Sequence, residues 1–219
     1  MPDVTEPVTD HQEISIPYCK SKTRCLFCSL INLAFMKKTI IGAIVGGLLI
    51  FLCQTLSWTV LDLHRSAQDY TPKQDTIMHF LNSVIDKEGG YLLPGMPKGT
   101  SFDDANKAGL KGMGKPWAFI EYHSSYTLSM NDMYMNMVRG LLSTMFMVWL
   151  VCWIISQFSK PSFGNIFLAC LFIGLVVYIN VPYNSFIWYK IFDSRAYLHD
   201  SILGWGVCGL WLGWWMRKK

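Results

Sequence analysis

The sequence predicts an all-α membrane bundle of four transmembrane helices, with a small α+β extracytoplasmic module inserted between helices 1 and 2. Charged residues make up only 16% of the chain, against about 25% in soluble domains. Residues 39–61 form a run of 23 residues without a formal charge. As a helix this run is about 35 Å long, which is enough to cross a hydrocarbon core about 30 Å thick. Three further apolar runs follow it, so we expect a multipass membrane protein.

Residues 1–35 are predicted to be a cytoplasmic N-terminal extension. The segment Met36-Lys37-Lys38, followed by the first apolar run, resembles a bacterial initiation and membrane-targeting sequence. We therefore also consider the hypothesis that the natural product begins at Met36 and that the extension comes from an over-extended reading frame. The alternative for this segment is a metal or redox site formed by His11, Cys19, Cys25 and Cys28.

Transmembrane helix 1 is predicted over residues 36–61 as an uncleaved signal anchor. Its apolar run is longer than the roughly 7–15 residues of a cleavable signal peptide, and no Ala-x-Ala site follows it. The other predicted segments are transmembrane helices over 137–158 and 165–182, and transmembrane helix 4 with a basic cytoplasmic tail over 200–219. A cytoplasmic loop is predicted over 159–164 and an extracytoplasmic loop over 183–199. Because the last apolar run is short, its helix is expected to begin earlier, with Asp193 or Ser194 as N-cap.

The basic residues predict that both termini lie in the cytoplasm. Nine Lys and Arg residues fall on the short inner segments, and only Lys190 and Arg195 fall on the short outer loop. Basic residues in short loops favour the cytoplasmic side. The predicted location is the bacterial inner (cytoplasmic) membrane. The same distribution accounts for the net charge of +4, so the lipid bilayer is an expected partner and nucleic acid is not.

Two glycine pairs predict a contact between transmembrane helices 1 and 4. Gly42 and Gly46 lie in helix 1, and Gly209 and Gly213 lie in helix 4. Glycines four residues apart let helix backbones approach closely where lipid provides no hydrophobic driving force. Homodimerisation through either glycine face is the alternative.

Residues 62–136 are predicted to form the extracytoplasmic module. Thr71-Pro72 is typical of a helix start, with Thr71 as the capping residue and Pro72 at the first helical position, and Gly89-Gly90 ends this helix. The next predicted elements are a strand over 91–93, a helix over 103–111 and a strand over 117–123. Because so small a module is marginally stable alone, we expect it to pack on the transmembrane helices or against a partner.

Methionines at the end of the module form one part of a candidate metal site. Met130, Met133 and Met137 share one face of a predicted helix, and His123 lies nearby in the sequence. Thioether sulfur is a suitable ligand for Cu(I). The alternative is that these methionines serve as flexible apolar packing where the second span enters the membrane.

Histidines at the outer ends of the spans form the other part of this candidate site. His64 and His199 are expected at one depth, just outside helices 1 and 4, where paired imidazoles are able to bind haem or another metal. Asp62 and Asp200 lie close to them in sequence, either as hydrogen-bond partners or as helix caps. The alternative is that both histidines are ordinary interfacial residues.

The expected function is that of a non-enzymatic interaction protein or accessory subunit with no bound cofactor. The predicted spans contain no internal Asp, Glu, Lys or His, which argues against ion-coupled transport. The sequence also lacks the GxSxG, HExxH and phosphate-loop patterns of common enzymes. Expected partners are another membrane or periplasmic protein, or a second copy of the chain. The alternative function is a metal (copper or haem) or redox accessory protein that uses the Met and His residues named above.

Overall fold

The computed structural model describes the backbone of residues 22–159 and 161–217, and the side chains from residue 36 onward. These residues form a mostly helical chain with one small two-stranded sheet. The candidate N-terminal metal site, the start of the N-terminal extension and four of the counted basic residues (Lys20, Lys160, Lys218 and Lys219) lie outside this description. The helices are α1 Lys22–Thr59, α2 Gln74–Val84, α3 Phe102–Gly112, α4 Met130–Ser156, α5 Phe163–Tyr178, α6 Asn184–Tyr189 and α7 Ser194–Met216; the strands are β1 Gly89–Leu93 and β2 Ala118–Tyr122.

Three helical segments are long and apolar enough to cross a membrane. They are Met36–Thr59 of α1, Met130–Ser156 of α4, and Phe163–Tyr189, which runs from α5 through α6. The prediction of long apolar helices is therefore confirmed for three of the four spans. The fourth span corresponds to α7, a helix of 23 residues that is not among these three, so its crossing stays a prediction.

The long helices pack in the spatial order α4, α1, α7, α5. Helix α1 contacts both α4 and α7, and α7 contacts α5 on its other side. The side chains buried between them belong to one hydrophobic cluster, which includes Val148, Cys152, Ile166, Cys170, Cys208 and Leu212. Three of these are free cysteines, which act here as small apolar side chains.

Glycines allow these helices to approach one another, but the two predicted glycine pairs do not face each other. A Cβ on Gly46 would lie 2.8 Å from Val148 of α4 and 3.0 Å from Cys208 of α7. A Cβ on Gly213 would lie 2.8 Å from the ring of Phe163 in α5. The neighbouring glycines repeat the pattern, because Gly42 meets side chains of α4 and α7 and Gly209 meets α5. Transmembrane helices 1 and 4, which correspond to α1 and α7, thus pack together. Glycines of α1 contact larger side chains of α7 at this interface.

Tryptophans of α7 also bind the backbone of α1. The indole N–H of Trp215 donates to the carbonyl oxygen of Lys38 at 2.8 Å, and that of Trp211 donates to the carbonyl oxygen of Gly42 at 3.3 Å. In return, Lys38 Nζ donates to the carbonyl oxygen of Met216 at 3.2 Å. These hydrogen bonds join the last turns of α7 to the part of α1 that follows Met36.

The third span continues beyond its predicted end. A π-helical turn, Ile179–Tyr183, joins α5 directly to α6 and contains Pro182. Proline has no N–H to donate and its ring clashes with the carbonyl of the preceding turn, and a widened turn accommodates both effects without ending the helix. The predicted extracytoplasmic loop over 183–199 is consequently helical over most of its length, in α6 and the start of α7.

The module contains the predicted helix–strand–helix–strand order, although its first helix starts later than expected. Helix α2 begins at Gln74 after Lys73, without a side-chain cap. The Thr71 hydroxyl instead accepts a hydrogen bond from the Lys73 N–H at 3.3 Å, in the turn before the helix. Strands β1 and β2 pair antiparallel, with Leu93 opposite Ala118.

A carboxylate joins the two chain segments at one end of this sheet. Glu88 accepts hydrogen bonds from the backbone N–H of Ser124 at 2.9 Å and from its hydroxyl at 2.7 Å. These hydrogen bonds hold the pKa of Glu88 below its usual value.

The helices of the module bury little of their own surface. Within the described chain, neither α2 nor α3 contains a buried residue. In β2, Tyr122 is buried and its hydroxyl donates to Asn82 Oδ1 at 2.7 Å. The module is therefore a thin layer with apolar side chains left exposed.

Candidate functional site: a buried histidine beside an interfacial cavity

His64 lies at the centre of a buried polar cluster at one end of the bundle. Only 2% of its surface is exposed. Its Nδ1 lies 2.8 Å from Asp193 Oδ2, and its Nε2 lies 3.1 Å from Asp200 Oδ2. We name His64, Asp193 and Asp200 the histidine cluster.

The loop after α1 brings His64 to this place. The chain turns back through Asp62, which has a left-handed φ of 49°, and the Leu63 N–H donates to the carbonyl oxygen of Ser57 at 3.1 Å. The imidazole then stacks on Trp58, with ring centroids 3.8 Å apart and planes 3° from parallel. Tyr197 also packs against the imidazole, edge-on and at a centroid distance of 4.7 Å.

Helix α7 supplies both carboxylates from one face. Asp193 precedes the first residue of α7, and Asp200 follows it by seven residues, or about two helical turns, which places the two side chains on the same side. Asp193 occupies the N-cap position, as predicted, but makes no capping hydrogen bond. Its carboxylate contacts His64 instead.

Both nitrogens of this imidazole have a carboxylate oxygen within hydrogen-bond distance. A polar group that is buried with partners on both sides stabilises a fold, whereas removal of one partner leaves the others unpaired at a cost. The ring therefore joins the loop after α1 to α7. The metal-binding role of His64 stays a prediction.

The structure places the other predicted site residues apart from this cluster. His199 and His123 are both exposed, on α7 and directly after β2. Met130, Met133 and Met137 are exposed along the first turns of α4. Among the described residues, no group of three or more His, Cys, Asp or Glu side chains is arranged to hold a metal ion. The methionine site for Cu(I) stays a prediction.

Sequence reasoning named two of the three residues of the histidine cluster. It named His64 and gave Asp200 as a possible partner, whereas Asp193 was expected only to cap a helix. Asp62, the other predicted partner, forms an exposed ion pair with Arg65 at 3.2 Å. The signal that was missed is the spacing of seven residues between Asp193 and Asp200, which places both on one side of the first turns of α7.

A cavity of about 820 Å³ lies directly beside the histidine cluster. Trp58, Asp193 and Tyr197 belong both to its lining and to the surroundings of His64. Its other walls include Trp117 and the start of β2, the π-helical turn, α6, and the chain between α6 and α7. We name it the interfacial cavity, because it separates the module from the ends of the long helices.

A second, smaller cavity of about 410 Å³ lies on the module itself, between the end of α2 and β1. Apolar and aromatic side chains form most of its lining, including Phe80, Val84, Tyr91 and Leu93, and two oppositely charged residues, Asp86 and Lys87, border it. We name this cavity the module groove.

Comparison of the chain with protein-family models, with curated proteins and with solved structures finds no match. The functional argument therefore depends on the geometry of the histidine cluster and the two cavities.

Proposed function

We propose that the protein is a non-enzymatic interaction protein of the membrane, an accessory subunit that presents its module to a second membrane or extracytoplasmic protein. The observation that carries this proposal is the exposure of the module's apolar side chains. Phe80 is 61% exposed and Val84 is 54% exposed, although both lie on the apolar side of the amphipathic helix α2. A helix that leaves such a face uncovered has an apolar surface for a partner to bury.

The module groove has the composition of a protein interface. Its lining combines six apolar or aromatic residues with the two charged residues Asp86 and Lys87. Interfaces combine a buried aromatic or aliphatic centre with a polar rim. We infer that the partner inserts an apolar side chain between Phe80 and Tyr91.

The proposed setting is the bacterial inner membrane, with both termini in the cytoplasm and the module outside it. The three long apolar segments and the distribution of basic residues support this orientation. For the fourth crossing, the support is the packing of α7 against both α1 and α5.

Site-specific photocrosslinking in the native host tests the interaction. A photoreactive amino acid at position 84, inside the module groove, is expected to give an adduct of discrete mass. The substitution Phe80→Asp is expected to abolish this adduct, because it places a charge in the apolar centre. Phe102→Asp is the matched control, because Phe102 is even more exposed, at 81%, but belongs to α3 and does not line the groove.

The proposal is wrong if position 84 gives no adduct, or if Phe80→Asp and Phe102→Asp give the same adducts at equal protein levels. Two differently tagged copies in one cell identify the partner class. An adduct that contains both tags shows a second copy of the chain in the groove and overturns the assignment to a different protein.

A further inference from the structure

We propose that the interfacial cavity binds a membrane phospholipid with an anionic headgroup. This inference goes beyond the proposed function, because it concerns a different surface from the module groove and does not depend on a protein partner.

The position of the cavity favours an amphipathic ligand. Val181 and Ser185 of one wall belong to the segment Phe163–Tyr189, which is long and apolar enough to cross a membrane. Trp117 and Phe119 of the facing wall belong to the module. A molecule in the cavity therefore touches a membrane-spanning segment and the module at the same time, which suits a lipid whose acyl chains remain in the bilayer.

The size and the aromatic lining agree with this ligand class. A volume of about 820 Å³ falls within the roughly 300–1,000 Å³ of ligand-binding clefts. Trp58, Trp117 and Tyr189 all line it. Trp and Tyr rings are enriched at the level of lipid headgroups, because they present an apolar body and a polar tip.

The free charge at the cavity is positive. Among the described residues that line it, Lys190 is the cation and Asp193 is the carboxylate. Asp193 is buried and paired with His64, whereas Lys190 is exposed and its ammonium group lies over the ring of Phe186, 5.4 Å from the centroid. Within the described part of the chain, Lys190 has no ion pair.

The backbone holds Lys190 at the edge of the cavity. Lys190 ends α6 in the left-handed region, with a φ of 52°, and its N–H donates to the carbonyl oxygen of Phe186 at 3.0 Å. An ammonium group in this position is able to donate charge-assisted hydrogen bonds to a phosphate oxygen. The acyl chains of the same lipid then lie along Val181 and the exposed side of α6.

Native mass spectrometry of the full chain, purified and delipidated in mild detergent, tests the proposal. The probes are phosphatidylglycerol and phosphatidylcholine with identical acyl chains. We expect one phosphatidylglycerol to bind more tightly than phosphatidylcholine. Lys190→Gln is expected to weaken phosphatidylglycerol binding about tenfold, as for the loss of one hydrogen bond to a charged group. Phosphatidylcholine binding is expected to weaken less, because the choline group already offsets the charge of its phosphate.

Matched variants separate the cavity from general charge effects. Lys115→Gln also removes one positive charge, but Lys115 lies in the module and does not line the cavity. This variant is therefore expected to bind both lipids as well as the unchanged protein does. Ser185→Trp fills the cavity and is expected to lose both lipids. Asn184→Trp, at the neighbouring exposed position outside the lining, is expected to retain them.

The proposal is overturned if Lys190→Gln and Lys115→Gln bind phosphatidylglycerol equally well, or if folded Ser185→Trp retains the lipid. If Ser185→Trp fails to fold, the comparison of the two lysine variants decides alone. None of these substitutions touches the module groove, so failure of lipid binding leaves the crosslinking result from position 84 unaffected.

Discussion

His64 connects two parts of the chain that are 129 residues apart in sequence, the loop after α1 and the first residue before α7. Its burial, its stacking on Trp58 and its two carboxylate partners all depend on this single position. At the scale of one residue, it is the main polar connection at this end of the bundle.

We predict that His64→Ala lowers the free energy of unfolding by about 3–5 kcal/mol, because it leaves the buried Asp193 carboxylate and the half-buried Asp200 carboxylate without their shared hydrogen-bond partner. Thermal unfolding in detergent measures the effect. Adding Asp193→Asn and Asp200→Asn to this variant is expected to recover part of the loss, since both unpaired charges are then removed.

The control for this prediction is His199→Ala, which removes an exposed imidazole from the same helix. Its expected change is within about 0.5 kcal/mol. An unfolding temperature of His64→Ala equal to that of the unchanged protein would contradict the assigned role of the histidine cluster.

The histidine cluster also shows what sequence reasoning is able to find at the residue scale. His64 and Asp200 were predictable as candidates because each is a polar residue next to an apolar run. Asp193 was assigned a local role, since helix capping is the commonest use of Asp at such a position. Asp193 instead contacts His64, which is distant in sequence, and no local sequence pattern indicates such a contact.

At the scale of elements, Gly47 is the glycine of α1 that lies closest to α4. A Cβ on Gly47 would lie 2.5 Å from the Cα of Met145, which is a backbone atom and has no freedom to rotate away. The two helices are thus in backbone contact at this point, although Gly47 belongs to neither of the predicted glycine pairs.

We predict that Gly47→Ala lowers the free energy of unfolding by about 1–3 kcal/mol, the usual effect of overpacking. Gly109→Ala in α3 is the matched control, because a Cβ there meets no atom within 4 Å. That control is expected to be neutral or to stabilise the protein by up to about 1 kcal/mol, since alanine favours a helix. Thermal unfolding of both variants in one detergent is the measurement, and equal melting temperatures would show that α1 and α4 are not in close contact at Gly47.

The existence of the long helices was predictable, whereas the end of the third was not. Uncharged runs of about 20 residues predict helices because a lipid-facing backbone must satisfy its own hydrogen bonds. Pro182 suggested an end to the third helix, but a widened turn keeps the helix continuous. Similarly, Thr71-Pro72 has the composition of a helix start, yet α2 begins at Gln74.

At the scale of the whole molecule, the proposed topology places the module outside the cytoplasm and both termini inside it. We predict that Lys98→Cys, in the module, reacts with a membrane-impermeant maleimide in intact cells. A cysteine at Lys160, in the predicted cytoplasmic loop, is expected to react only after the cells are broken. The unchanged chain, with its own seven cysteines, provides the background labelling. Reaction of Lys98→Cys only after lysis would invert or remove the proposed orientation.

The π-helical turn at Pro182 also sets the rotation of α6 about its own axis, and α6 forms part of the lining of the interfacial cavity. A π turn holds one more residue than an α turn, and each residue of an α-helix advances about 100° around the axis. Every side chain after Tyr183 is therefore rotated by about that angle from where an uninterrupted helix would direct it. Ser185 and Tyr189, four residues apart on one side of α6, both face the interfacial cavity in this rotated frame. The turn at Pro182 thus fixes the rotation of α6 about its axis. The orientation of Tyr189 toward the proposed lipid site depends on this rotation.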